Sequence, residues 1–152
     1  GPDELGHKKD LEKLIKNLNL KRVIIKPAVY GLEKDLLISQ CNLFVLPSRS
    51  ENFGLTVAES LAVEVPVIAT KDTPWSGLES HKCGWWVEGG EFSLFNTLKT
   101  VLNLPSSHLF EMGSRGKKWI EQDFSWDIAS EKTLETYSWL LNKGQKPSFL
   151  HF

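Results

Sequence analysis

Several things are scarce in this sequence, and each scarcity excludes a class of protein. There are two cysteines in 152 residues, Cys41 and Cys83, with no CxxC spacing, so neither a disulfide scaffold nor a zinc module is encoded. Reduced, packed thiols are the expected state, and a single Cys41–Cys83 disulfide is the alternative. Charge of one sign is not in excess either: 18 Lys+Arg face 19 Asp+Glu, a formal net charge of −1. The basic residues occur in short pairs such as Lys8-Lys9, Lys21-Arg22 and Lys117-Lys118, which argues against a nucleic-acid partner. No apolar run approaches the roughly 20 residues that span a bilayer, and the first residues have neither a basic nor an apolar leader segment. The one methionine, Met112, is internal, so the chain is expected to be a processed product or a fragment. What is present, 41% hydrophobic and 24% charged residues, fits a globular domain with a real core.

The apolar pattern alternates between two periods. Leu11, Leu14, Ile15 and Leu18 make one stripe, predicting a helix over about His7 to Leu18. Val23-Ile24-Ile25 reads as a short buried strand, followed by a helix over Glu33 to Gln40. Leu43 to Leu46 predicts a second strand, Phe53 to Val63 a helix, and Val65 to Thr70 a third strand. A short helical piece at Ser76 to Ser80 and a strand at Gly84 to Val87 follow. The last third is helical, over Leu94 to Leu102, Ser106 to Gln122 and Trp126 to Leu141, with residues 142–152 as a loose tail. Short apolar strands separated by helices predict a parallel sheet covered by helices, the doubly wound α/β plan. Such sheets bind ligands at the carboxyl ends of their strands. The loops of interest are therefore Lys26 to Gly31, Pro47 to Gly54, Thr70 to Gly77 and Val87 to Glu91.

One segment concentrates the chemistry: Pro47-Ser48-Arg49-Ser50-Glu51-Asn52-Phe53-Gly54-Leu55-Thr56-Val57-Ala58-Glu59. Glu51 and Glu59 bracket a strand-to-helix turn. The amides of Phe53, Gly54, Leu55 and Thr56 lie where a helix N-terminus favours an anion such as phosphate, and Gly54 lets backbone approach a ligand. Carboxylates accept hydrogen bonds only, which suits the hydroxyl pairs of a sugar or ribose. A nucleoside diphosphate sugar offers both partners. Taken alone, the two glutamates are equally read as acids favouring a helix start.

The same segment resembles the retaining glycosyltransferases of the GT4 type (glycosyl transferases group 1), whose GT-B fold has two Rossmann-like domains. Glu51 and Glu59 match the family's E-x7-E motif, within P-S-x-x-E-x-F-G-L-x-x-x-E and followed by P-V-I-A-T at Pro66 to Thr70. Gly1-Pro2 resembles the end of a preceding strand, Gly84 to Gly90 the return strand, and Phe124 to Ala129 the closing helix. The resemblance implies that residues 1–141 are the C-terminal, nucleotide-sugar-binding domain without its first strand-helix unit, and residues 142–152 a tail. It implies Glu51 at the catalytic centre against the donor sugar and Glu59 on the ribose hydroxyls. Phe53, Gly54, Leu55 and Thr56 would hold the distal phosphate, and Val29, Tyr30 and Gly31 would meet the base. Catalysis would need no metal and no cofactor, with a UDP- or GDP-sugar as donor. The glycan or lipid-linked acceptor would be met by a missing N-terminal domain. Capsule and lipopolysaccharide synthesis at the inner face of the membrane, in the cytoplasm, are the implied settings.

The sequence departs from that pattern in places. The family's basic Arg and Lys pair has no counterpart. Glu64 stands where Gly is usual, a position suited to a left-handed cap, and Thr73-Pro74-Trp75 replaces a glycine-rich turn. Arg49 reads as solvated or ion-paired, and at least one ring of Trp85-Trp86 as core. His81-x-Cys83 is too sparse for a metal, while His7, His108 and His151 read as surface residues. Trp139, Phe149 and Phe152 are expected to be exposed. The rival reading is a non-catalytic α/β interaction or regulatory domain; a receiver-type module would need a strand-end aspartate, which Leu46-Pro47-Ser48 lacks. A phosphorylase or synthase carrying the same motif is a third reading.

Overall fold

Pro66 to Thr70 is one of two short apolar runs near the chain's centre, and in the computed structural model it becomes the middle of a sheet. The structure describes Asp3 and residues 6–150. Three parallel strands, β1 (Phe44–Leu46), β2 (Val67–Thr70) and β3 (Gly84–Val87), lie in the order β1-β2-β3. Phe44 pairs with Val67, and Val67 with Gly84. All four residues of β2 are buried, as expected for a strand with a neighbour on each side and helices over it.

The helices are α1 (His7–Asn17), α2 (Gly31–Ser39), α3 (Leu55–Ala62), α4 (Gly77–Ser80), α5 (Glu91–Val101), α6 (Ser106–Asp123) and α7 (Trp126–Leu140). The chain forms two compact units, Gly1–Leu36 and Leu37–Phe152. The sheet and α3 to α7 belong to the second, a Rossmann-like α/β domain. Its core gathers Val57 and Leu61 of α3, Val67 and Ala69 of β2, Trp75, Leu78, Cys83 and Trp119.

Two close approaches fix the layers. Gly113 of α6 sits against the turn after α3, where a Cβ would stand 1.8 Å from the Glu64 carbonyl oxygen; at Gly84 a Cβ would stand 2.2 Å from that of Val67. Glu64 adopts φ 64°, the left-handed conformation expected of this position. Its carboxylate pairs with Lys117 of α6 at 3.1 Å. The start of α7 is capped by Ser125, whose hydroxyl accepts from the Ile128 amide at 3.4 Å, satisfying one orphan donor of the first turn.

Some expectations fail. Val23-Ile24-Ile25 forms no strand: the segment is irregular, with Val23 49% and Ile24 78% exposed. A strand needs a ladder partner for its N–H and C=O groups, and among the described residues none pairs with this one. In the first unit, the apolar stripe of α1 is itself exposed at Leu11, Leu14 and Leu18. Both cysteines are free thiols, but only Cys83 is packed; Cys41 is exposed. Trp139 and Phe149 are half-buried, because residues 142–150 turn back along α7. The Lys143 amide donates to the Ser138 carbonyl at 2.9 Å, and Lys132 lies 5.9 Å from the Phe149 ring centre. Gly1-Pro2, His151 and Phe152 lie outside the described residues.

A strand-end loop as candidate donor site

Loops 47–54, 71–76 and 88–90 leave the carboxyl ends of β1, β2 and β3 and open α3, α4 and α5 in turn. The first two are tied together. Thr70 Oγ1 donates to the Ser48 carbonyl, and Thr73 Oγ1 donates to the Thr70 carbonyl at 2.7 Å. The Trp86 indole N–H, from β3, reaches the Thr73 carbonyl at 3.0 Å. Buried polar groups without such partners would destabilise the turns. Here Thr70 and Thr73, both nearly inaccessible, are satisfied by backbone.

Glu51 is half-buried in this loop, where the Ser48 hydroxyl donates to its Oε1 at 3.0 Å. Glu59 is on the second turn of α3, half-buried, with Oε2 closed off from solvent. Between them Gly54 caps α3 with φ 75° and ψ 58°, a left-handed conformation that costs any other residue about 1–2 kcal/mol. A Cβ there would also meet the Trp75 indole nitrogen at 3.3 Å. The N-cap residue, Gly54, makes no side-chain cap hydrogen bond to the first turn of α3. The Val57 amide already bonds the Gly54 carbonyl at 2.9 Å, so the turn offers its earlier amides as the positive end of the helix dipole. Thr56 is half-buried, while Phe53 and Leu55 are exposed.

Under the loop lies an aromatic cluster. Trp75 is 1% exposed, and its indole N–H donates to the Phe53 carbonyl at 2.5 Å. The rings of Phe53, Trp119 and Phe124 surround it at 5.1, 5.6 and 5.5 Å, and His81 stacks on Trp119 at 4.3 Å. In sequence Trp75 marks only a departure in the turn after β2, and nothing local shows its depth under the loop. Trp85 and Trp86 are both half-buried, and Trp86 packs against the core. At the end of β2 Lys71 pairs with Glu88 at 2.6 Å, which raises the ammonium pKa through that hydrogen bond and charge.

The structure thus brings Glu51, Phe53, Gly54, Leu55, Thr56 and Glu59 onto one strand-to-helix turn of the second unit. Val29, Tyr30 and Gly31 belong to the first unit, where Val29 is half-buried, Tyr30 is 72% exposed and Gly31 opens α2 at φ 54°.

The three-stranded parallel sheet flanked by helices, with Glu51 and Glu59 on either side of the start of α3, defines a Rossmann-like α/β domain. The glycosyl transferases group 1 family matches residues 3–119, and the chain belongs to it. It is 32% identical over 106 residues to the capsular polysaccharide biosynthesis glycosyltransferase CapM of Staphylococcus aureus, covering 68% of this chain and 28% of that protein. To the D-inositol 3-phosphate glycosyltransferase of Gordonia bronchialis it is 34% identical over 107 residues, covering 64% and 21%. Among solved structures, sucrose-phosphate synthase from Thermosynechococcus elongatus matches with a TM-score of 0.80 at 23% identity, over 93% of this chain and 37% of that one. HepE of Anabaena, solved in complex with UDP-glucose, matches with a TM-score of 0.74 at 24% identity, over 89% and 37%. The chain spans under a third of the length of these two curated relatives.

Proposed function

We propose that this chain is the donor-binding part of a retaining, metal-independent glycosyltransferase of the GT4 type, taking a UDP- or GDP-sugar. One observation carries the reading: Glu51 and Glu59 flank a helix start whose N-cap residue, Gly54, makes no side-chain cap hydrogen bond. That turn supplies N–H donors for a diphosphate and carboxylate acceptors for hydroxyls, both within one loop.

In this reading the bond between the sugar's anomeric carbon and the distal phosphate breaks, the diphosphate leaves, and the acceptor hydroxyl oxygen forms the new bond, its proton passing to the departing diphosphate. The amides of Phe53, Gly54, Leu55 and Thr56 stabilise the charge that grows on the leaving phosphate. Glu51, held by Ser48, fixes the donor sugar by accepting from its hydroxyls, an orienting effect. Glu59 accepts from the ribose hydroxyls. The acceptor, a glycan or lipid-linked sugar of capsule or lipopolysaccharide type, binds a second domain outside this sequence, so the 152-residue chain alone binds nucleotide weakly and transfers nothing. Among the described residues no helix is long and apolar enough to cross a membrane; attachment at the inner membrane face would come through that second domain.

The test is a ligand-observed NMR titration with UDP, GDP, ADP and their sugars, comparing the chain with Glu59→Ala. A hydrogen bond to a charged group contributes about 1.5–3 kcal/mol, so the variant should bind about tenfold or more weakly. Silence from every nucleotide, with this chain and with a natural protein containing it, would sink the reading and leave a non-catalytic module.

A further inference from the structure

We propose that Trp75 is a positioning residue for the donor: its indole N–H holds the Phe53–Gly54 peptide so that the Gly54 amide faces the distal phosphate. The inference rests on the donor-site reading above. It starts from the planarity of the trans peptide, in which C=O and N–H point in opposite directions. The Phe53 carbonyl and the Gly54 N–H belong to one such unit. With the carbonyl drawn to Trp75 at 2.5 Å, the N–H is turned to the side away from the buried indole.

That orientation needs an external hold, because glycine populates positive and negative φ about equally and a peptide next to it rotates at little cost. The Ser48 and Thr73 bonds fix the ends of the neighbouring turns, but they do not touch this unit. Trp75 does, and it cannot itself move easily. It is 1% exposed, stands edge-on to Trp119 at 84°, and is closed in by Phe124 and Phe53. Its nitrogen also lies where a Cβ at position 54 would come, at 3.3 Å, so the glycine and the tryptophan fit as a pair. The ring carries no group that reaches a ligand; its effect passes through the backbone.

The experiment uses the 15N-labelled 152-residue chain. UDP, GDP and ADP are titrated first, and the base that binds is then compared as diphosphate and monophosphate, for the wild type and for Trp75→Phe. The wild type should prefer the diphosphate about tenfold, as for one hydrogen bond to a charged group, and the Gly54 amide proton should move downfield only with the diphosphate. Trp75→Phe should lose most of that preference and the Gly54 shift, while its monophosphate affinity stays within twofold. An unchanged preference and Gly54 shift in Trp75→Phe would overturn the inference. So would an equal weakening of both nucleotides, the mark of a general packing loss. If Trp75→Phe lacks a dispersed spectrum, benzothienylalanine at position 75, with sulfur in place of N–H, is read by the same outcomes. If neither the wild-type chain nor a natural protein containing it binds any of the three nucleotides, the donor-site reading itself falls, and the inference with it.

Discussion

Gly113→Ala tests how tightly α6 is seated on the rest of the domain. The added Cβ would fall 1.8 Å from the Glu64 carbonyl oxygen and 2.4 Å from its carbon, both backbone atoms, so no flexible side chain can yield. Opening that distance from 1.8 Å to about 3.0 Å means sliding α6 away from the turn after α3. It would also disturb Gly116, where a Cβ would meet Leu61 at 2.5 Å. Overpacking of this kind costs about 1–3 kcal/mol, or more where backbone must shift, and the gain in helix propensity returns at most ~1 kcal/mol. With backbone atoms on both sides of the clash the cost lies at the upper end of that range, so the net loss should be about 2 kcal/mol, which in a domain of this size lowers Tm by roughly 4–8 °C. Circular dichroism melts and urea titrations measure it, with Lys118→Ala on the exposed side of the same helix as a control expected within ~0.5 kcal/mol. A Gly113→Ala chain that melts at or above the wild type would refute the close approach of α6 to Glu64.

Three further outcomes follow from the same architecture. Glu64→Gly should relieve a left-handed non-glycine residue, about 1 kcal/mol, at the loss of a partly exposed pair with Lys117 that contributes ~0.2–1 kcal/mol. The variant should therefore equal or exceed the wild type in stability, with its advantage growing at high salt as the pair is screened; a loss beyond ~1 kcal/mol in urea titration would contradict this. Burial pushes the Cys83 thiol up to about 11 from 9.0, while Cys41 is exposed. Iodoacetamide at neutral to mildly alkaline pH should label Cys41 alone in the native chain, as read by peptide mass spectrometry. Because the unfolded thiol ionises first, the Cys83 contribution is flat below pH 9 and stability falls as pH rises from 9 towards 11. Cys83→Ala should lose that slope.

Much of the architecture was legible because the local signals agree with the packing. Val67 to Thr70 is apolar, short and preceded by Pro66, and it is the central strand; Ser125 precedes an apolar run and caps α7. The turn between Pro47 and Glu59 was legible for a different reason, since its glycine, its two carboxylates and its place between strand and helix each have a local cause. What failed depends on neighbours far away in sequence. Val23-Ile24-Ile25 has strand composition, but composition cannot show that no ladder partner is at hand. Cys41 is flanked by Gln40 and Asn42, and its exposure depends on how the chain turns after α2. Trp75 read as a turn residue beside Pro74; only the contacts with Phe53, Trp119 and Phe124 show it as the floor of the loop. The sequence predicts a loose tail over residues 142–152, yet Lys132 and Phe149 meet across its described part.

The bare start of α3 has a consequence for anyone who maps this loop by mutation. Its N–H groups are main chain, and every residue except proline carries the same one. Alanine scanning through Phe53, Leu55 and Thr56 would erase side chains and leave the donors in place, so a quiet scan would be mistaken for an idle loop. The informative changes are those that tilt or delete a peptide group: proline at position 55, an ester in place of a single amide, or an alteration of the indole beneath.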